Sequence, residues 1–129
     1  MNIHRCYTLC NLVLTAVLGI GFTSSALAQL RERALFVDLT SKEATDLGTL
    51  GGGFSGAYGI NDAGQAVGQS YTYNGPARAF ITGPDGVGMT DLGTLGGDNS
   101  GASGINDAGQ VVGQSATENR QTHDFITGG

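Results

Sequence analysis

Gly59-Ile60-Asn61-Asp62-Ala63-Gly64-Gln65 returns letter for letter as Gly104-Ile105-Asn106-Asp107-Ala108-Gly109-Gln110. Asn and Asp bond their own backbone and tolerate left-handed conformations, and glycine takes positive φ freely. Residues 61–64 therefore read as a tight turn. Ala57-Tyr58-Gly59-Ile60 before it and Gln65-Ala66-Val67-Gly68-Gln69-Ser70-Tyr71 after it complete a β-hairpin.

Outward from the hairpin, the repetition continues. Asp46-Leu47-Gly48-Thr49-Leu50-Gly51-Gly52 recurs as Asp91-Leu92-Gly93-Thr94-Leu95-Gly96-Gly97, and Phe80-Ile81-Thr82-Gly83 recurs as Phe125-Ile126-Thr127-Gly128. Every offset is 45 residues. Between 46–70 and 91–115 only four of 25 positions differ, Gly53/Asp98, Phe54/Asn99, Tyr58/Ser103 and Ala66/Val111, which excludes chance. Asn74-Gly75-Pro76 and Gly83-Pro84-Asp85-Gly86 supply two further turns. No window carries apolar residues at helical spacing behind a cap. The expected fold is all-β: tandem four-stranded antiparallel meanders, the unit of a β-propeller blade. Two units are too few for a closed propeller, which takes about four blades or more.

The division read from the chain is a secretory signal over 1–28, a short leader over 29–33, repeats over 34–78 and 79–123, and the start of a truncated third repeat over 124–129. A truncated relative of a longer array, pairing between copies, and an open sandwich of two units are the three readings of that count. Phe80, Ile81, Val67, Ile60, Leu47 and Leu50, with their partners 45 residues on, are the expected core. Glycines within strands (Gly59, Gly68, Gly104, Gly113) are expected to admit a neighbouring sheet closely.

The signal reading rests on His4-Arg5, an apolar run from Leu12 to Phe22, and Ala26-Leu27-Ala28 in the small-residue pattern that signal peptidase reads. The apolar run is about half of the roughly 20 residues a spanning helix needs, so no stable membrane insertion is expected after cleavage. Both cysteines, Cys6 and Cys10, lie in this segment. The remainder has no thiol for a disulfide, a metal or nucleophilic attack. It carries five basic and eleven acidic residues, a net charge of −6. That balance, without a basic cluster, argues against nucleic acid and anionic lipid as partners. The expected location is periplasmic, cell-surface or secreted.

The combination of D-L-G-T-L-G-G, G-I-N-D-A-G-Q-V-V-G-Q-S and an (H/R)-x-F strand resembles the bacterial extracellular HAF repeat, over residues 34–129. The naming triplet departs, reading Arg78-Ala79-Phe80 in one copy and His123-Asp124-Phe125 in the next. The resemblance implies a secreted or surface repeat architecture and no particular reaction.

Candidate sites are sparse. Asp62 and Asp107, beside Asn61 and Asn106, are oxygen donors in Gly-rich turns, where calcium is sometimes held. Calcium takes six to eight oxygens, as a rule, and each turn offers about two side chains, so a hydrogen-bonded turn is the simpler reading. Gly51-Gly52-Gly53-Phe54-Ser55-Gly56 matches the dinucleotide fingerprint by letters, yet no helix follows. His123 stands in the register of Arg78, no G-x-S-x-G surrounds a serine, and Asp46/Asp91 are duplicated with the repeat. No enzyme and no cofactor are therefore expected. Tyr58, Tyr71 and Tyr73 form a possible stacking surface for carbohydrate in the first copy alone, their counterparts being Ser103, Ala116 and Glu118.

The expected function is thus an exported, non-enzymatic β-repeat module, structural, adhesive or interacting with protein or glycan. Its partners would include itself or other repeat proteins, through open sheet edges. The alternatives are a fragment of a propeller-type extracellular enzyme and a calcium-stabilised repeat.

Overall fold

The computed structural model describes residues 4–8, as backbone, and 33–128. The fold is all-β, ten strands in three antiparallel sheets, none of them closed. The first sheet holds β1 (His4–Thr8), β2 (Ala34–Asp38) and β3 (Glu43–Asp46). The second is a four-stranded meander of β4 (Gly51–Ile60), β5 (Ala66–Thr72), β6 (Ala77–Thr82) and β7 (Met89–Asp91). The third holds β8 (Gly96–Ile105), β9 (Val111–Thr117) and β10 (Thr122–Ile126). One short 3₁₀ turn, Pro84–Gly86, joins β6 to β7.

The repeated letters have repeated work. Asn61 Oδ1 accepts from Gln65 N–H at 3.0 Å and Asn61 Nδ2 donates to Gln65 Oε1 at 2.8 Å, closing the β4–β5 turn around Gly64 at φ +77°. Asn106 and Gln110 repeat both bonds at 3.0 and 2.9 Å. Thr82 Oγ1 accepts the Ala66 amide at 2.8 Å, as Thr127 Oγ1 accepts the Val111 amide at 2.9 Å. Ser70 and Ser115 accept the amides of Leu50 and Leu95 at 2.9 and 2.8 Å. Asp46 and Asp91 cap the following turns by accepting from Gly48 and Gly93. Each conserved polar letter between the copies thus satisfies a backbone group that would be costly to leave bare.

Two of these groups join sheets rather than strands. Ser55 Oγ accepts the Ala34 amide of β2 at 2.9 Å and donates to Gly48 O at 2.7 Å. Ser100 Oγ accepts the Ala79 amide of β6 at 2.9 Å and donates to Gly93 O. Apolar packing follows the same stacking. Ala34, Phe36, Leu47, Ala57, Ala66 and Phe80 form one core between the first and second sheets. Val67, Ala79, Ala102 and Val111 form another between the second and third. Ladder bonds also cross between turns: Asn61 Nδ2 donates to Asn106 O at 3.2 Å, and the Asp62 amide donates to Asp107 Oδ1 at 3.0 Å.

Several expectations need adjustment. Residues 51–56, left out of any strand by the sequence reading, open β4, because Gly51 pairs with Thr72 and Ser55 with Ser70. The four-stranded sheet runs from Gly51 to Asp91, so a division at 78/79 falls inside β6. A sequence period gives the length of a repeat and leaves its phase open. Of the strand glycines, Gly59 does meet the neighbouring sheet, with Gly104 Cα 3.2 Å from where its Cβ would sit. A Cβ on Gly68 or Gly113 would instead strike the carbonyl oxygen of Gly56 or Gly101 in the adjoining strand of its own sheet. Most expected core residues of the first copy are buried or packed on the core, while Leu95, Val112 and Ile126 in the second are exposed.

The apolar run 12–22 and the cleavage site lie outside the described residues. The segment His4–Thr8, within the expected leader, is a strand paired with β2, Arg5 opposite Val37 and Tyr7 opposite Leu35. It lies on β2 as β5 lies on β6, because an open strand edge accepts any extended backbone in register. Residues 29–129 alone should therefore lose protection of the Leu35 and Val37 amides by about a hundredfold in hydrogen exchange, with β5 and β6 unchanged. Equal protection with and without residues 1–28 would refute the pairing. Ser100→Ala should cost about 2 kcal/mol in urea unfolding, by stranding the Ala79 amide and Gly93 carbonyl. Ser103→Ala, on an exposed residue of the same strand, should stay within about 0.5 kcal/mol.

Candidate functional site

The largest concavity among the described residues is an open cleft of about 530 Å³ between the second and third sheets. Two of the three candidate tyrosines flank it. β4 and β5 lose register between Ala57 and Gly59, since Ala57 faces Gly68 and Gly59 faces Val67. Tyr58 is the extra residue of that bulge, and it stands 55% exposed at the cleft. A bulge bends its strand and re-aims the residue it carries. Tyr71 projects from β5, and its ring meets that of Phe54 at 5.5 Å between centroids, tilted by 49°. This edge-biased contact restrains Tyr71 without covering it.

Amides and hydroxyls supply the polar lining. Gln69 of β5 lies over Gly101, with Oε1 3.0 Å from where a glycine Cβ would be. Asn99 Oδ1 accepts the Ala77 amide at 3.0 Å, which holds this side chain of β8 against the edge of β6. Ser103, Gln114 and Thr122 complete the mouth. No lining residue is charged, and none is a carboxylate, imidazole or thiol. The surface fits a neutral ligand with both apolar faces and hydroxyls.

Tyr73 does not join the other two. It is 88% exposed and does not line the cleft. Asp62 and Asp107 are brought together as stacked turns, but one carboxylate oxygen of Asp107 is taken by the Asp62 amide. The neighbouring Asn side chains are committed to Gln65 and Gln110. Among the described residues there is no group of three or more His, Cys, Asp or Glu placed to hold a metal. His123 lies exposed on β10 opposite Ser115, away from the cleft. Asp46 is turned to Gly48 and to Arg33, whose guanidinium lies 3.0 Å away. Residues 51–56 lie in β4, and a strand offers no phosphate-cradling loop ahead of a helix.

Gln69, Asn99 and Gln114 were missed by sequence reasoning, and a signal for the site was present. Between copies that agree almost everywhere, the differences gather here. Tyr58 and Ser103 both line the cleft, as do Tyr71 and Ala116; Asn99 lines it too, and its counterpart Phe54 buttresses Tyr71. Residues that maintain a repeat must match between units, whereas residues that meet a ligand between two units are free to differ.

Compared with protein-family models, curated proteins and solved structures, the chain finds no match. No helix among the described residues is long and apolar enough to cross a membrane. Asp107→Ala should cost about 1 kcal/mol through loss of the Asp62 bond, equally with calcium and with chelator. A thermal midpoint that rises by several degrees with calcium in the parent chain, and not in the variant, would instead make these turns a metal site.

Proposed function

We propose that this chain is an exported, non-enzymatic β-repeat module that holds neutral carbohydrate in the cleft between its second and third sheets. The observation that carries the reading is the lining itself. Tyr58 and Tyr71 flank about 530 Å³ of open space walled only by uncharged amides, hydroxyls, alanines and glycines. Sugar rings present C–H faces to aromatic rings and hydroxyls to amides, so this set suits both halves of a saccharide. A nucleotide or acidic glycan would bring charge to a wall without a cation, on a chain that is acidic overall.

Binding rather than turnover is favoured because the cleft offers no carboxylate pair for glycosidic chemistry and no nucleophile–base pair. Export is supported by the leader pattern in residues 1–28 and by the likeness to the HAF repeat. Stacked antiparallel meanders joined through Ser55 and Ser100 are in keeping with a blade-like repeat architecture. Such a module would act as an adhesive or structural element on an extracellular polymer.

Titration calorimetry with soluble neutral polysaccharides is the test. Tyr58→Ala and Tyr71→Ala together should weaken binding at least tenfold, about 1.4 kcal/mol or more. Tyr73→Ala should leave it unchanged. Absence of binding to any neutral glycan, or binding indifferent to the double substitution, would overturn the assignment.

A further inference from the structure

β6 and β10 are counterparts, and they differ in what lies beyond them. β6 is flanked by β5 on one side and β7 on the other, with Phe80 opposite Asp91 and Thr82 opposite Met89. Met89 packs on the core there, and Phe80 is fully buried. β10 is paired with β9 alone. Beside its free edge runs an apolar groove of about 150 Å³, lined by Leu92, Leu95, Phe125 and Ile126. Ile126 is 66% exposed, and Phe125 is only half-buried where Phe80 is covered.

The orientation of the free backbone groups follows from the ladder. Thr127 donates its amide to Val111 O, on the β9 side, so the groups of Asp124 and Ile126 turn outward. The same parity holds in β6, where Ala79 O accepts the Leu92 amide beyond that edge. We propose that this edge pairs with β10 of a second copy, antiparallel about a two-fold axis, so that the two third sheets become one continuous sheet. The ladder on β6 shows that the edge accepts a strand on this side. A two-fold antiparallel pairing makes the edge its own complement.

The register is determined by parity and charge. Outward groups must meet outward groups, so Asp124 faces either Asp124 or Ile126 of the second copy. Asp124 against itself places two carboxylates together, which is destabilising. Asp124 opposite Ile126 removes that clash and sets Phe125 opposite Phe125 in the closer, non-hydrogen-bonded type of pair. Both phenyl rings then close the grooves at Leu95. This assembly does not involve the tyrosine cleft, so it stands or falls separately from carbohydrate binding.

Light scattering and sedimentation on the full chain across a concentration series are the measurements. The expected result is a monomer–dimer equilibrium with a dissociation constant on the order of 10 μM, in the range of small interfaces. Asp124→Pro removes an outward amide without touching the β9 ladder, and edges tolerate proline. It should weaken dimerisation at least tenfold with an unchanged far-ultraviolet circular dichroism spectrum. Val112→Lys, on a residue exposed on a sheet face, should leave the dimer intact. A monomer at all concentrations, an open-ended series of oligomers, or a dimer lost with Val112→Lys and kept with Asp124→Pro would each overturn the proposal. Should Asp124→Pro alter the spectrum, a cross-link between cysteines introduced by Phe125→Cys decides. A disulfide-linked dimer supports the Phe125 pairing, and its absence overturns it.

Discussion

A serine hydroxyl buried between two sheets is the contact on which this structure turns. In a Gly-rich chain with few large side chains, apolar burial alone gives little direction to stacking. Ser55 and Ser100 provide it, each taking an amide from the sheet before and giving its proton to a carbonyl of the incoming segment. Both partners are backbone, so the bond is indifferent to the side chains of the strand it meets. One geometry therefore serves twice, and a neighbouring sheet can be set down at a repeatable distance. Small residues make that distance short. Gly59 stands where a side chain would meet Gly104, and Ala57, Ala79 and Ala102 fill the rest of the seam.

The polar residues of the repeat are nearly all spent on the backbone. Among the described residues, only Arg78 Nε is a buried side-chain polar atom without a partner. Asn61, Gln65, Ser70, Thr82 and their counterparts close turns and strand ends. That is why the motifs are long and strict, and also why they are poor places to look for chemistry. A side chain already satisfied by backbone has little left to offer a ligand. The cleft arises elsewhere, at a bulge and at a strand end, where the two copies have diverged.

Divergence also accounts for the different fates of the two copies. Ala77 and Ala79 are buried beneath β8, and their counterparts Thr122 and Asp124 are exposed. Val67 is fully buried while Val112 is 45% exposed. Identical residues thus take different roles according to which sheet follows them. Burial belongs to the stack as a whole rather than to the letter.

Sequence by itself determined the all-β class, the period, the turns at 61–64 and 106–109, and the separateness of Tyr58 and Tyr71 from the repeated motifs. Those features are local: a turn is set by residues in contact along the chain, and a period needs no third dimension to be counted. Tertiary structure alone decided the phase of the sheets, the strand at Gly51–Ile60, the pairing of His4–Thr8 with β2, and which tyrosines share a cleft. Each of these depends on which distant backbone comes within hydrogen-bonding reach. A glycine-rich stretch has too little side-chain pattern to announce that in advance.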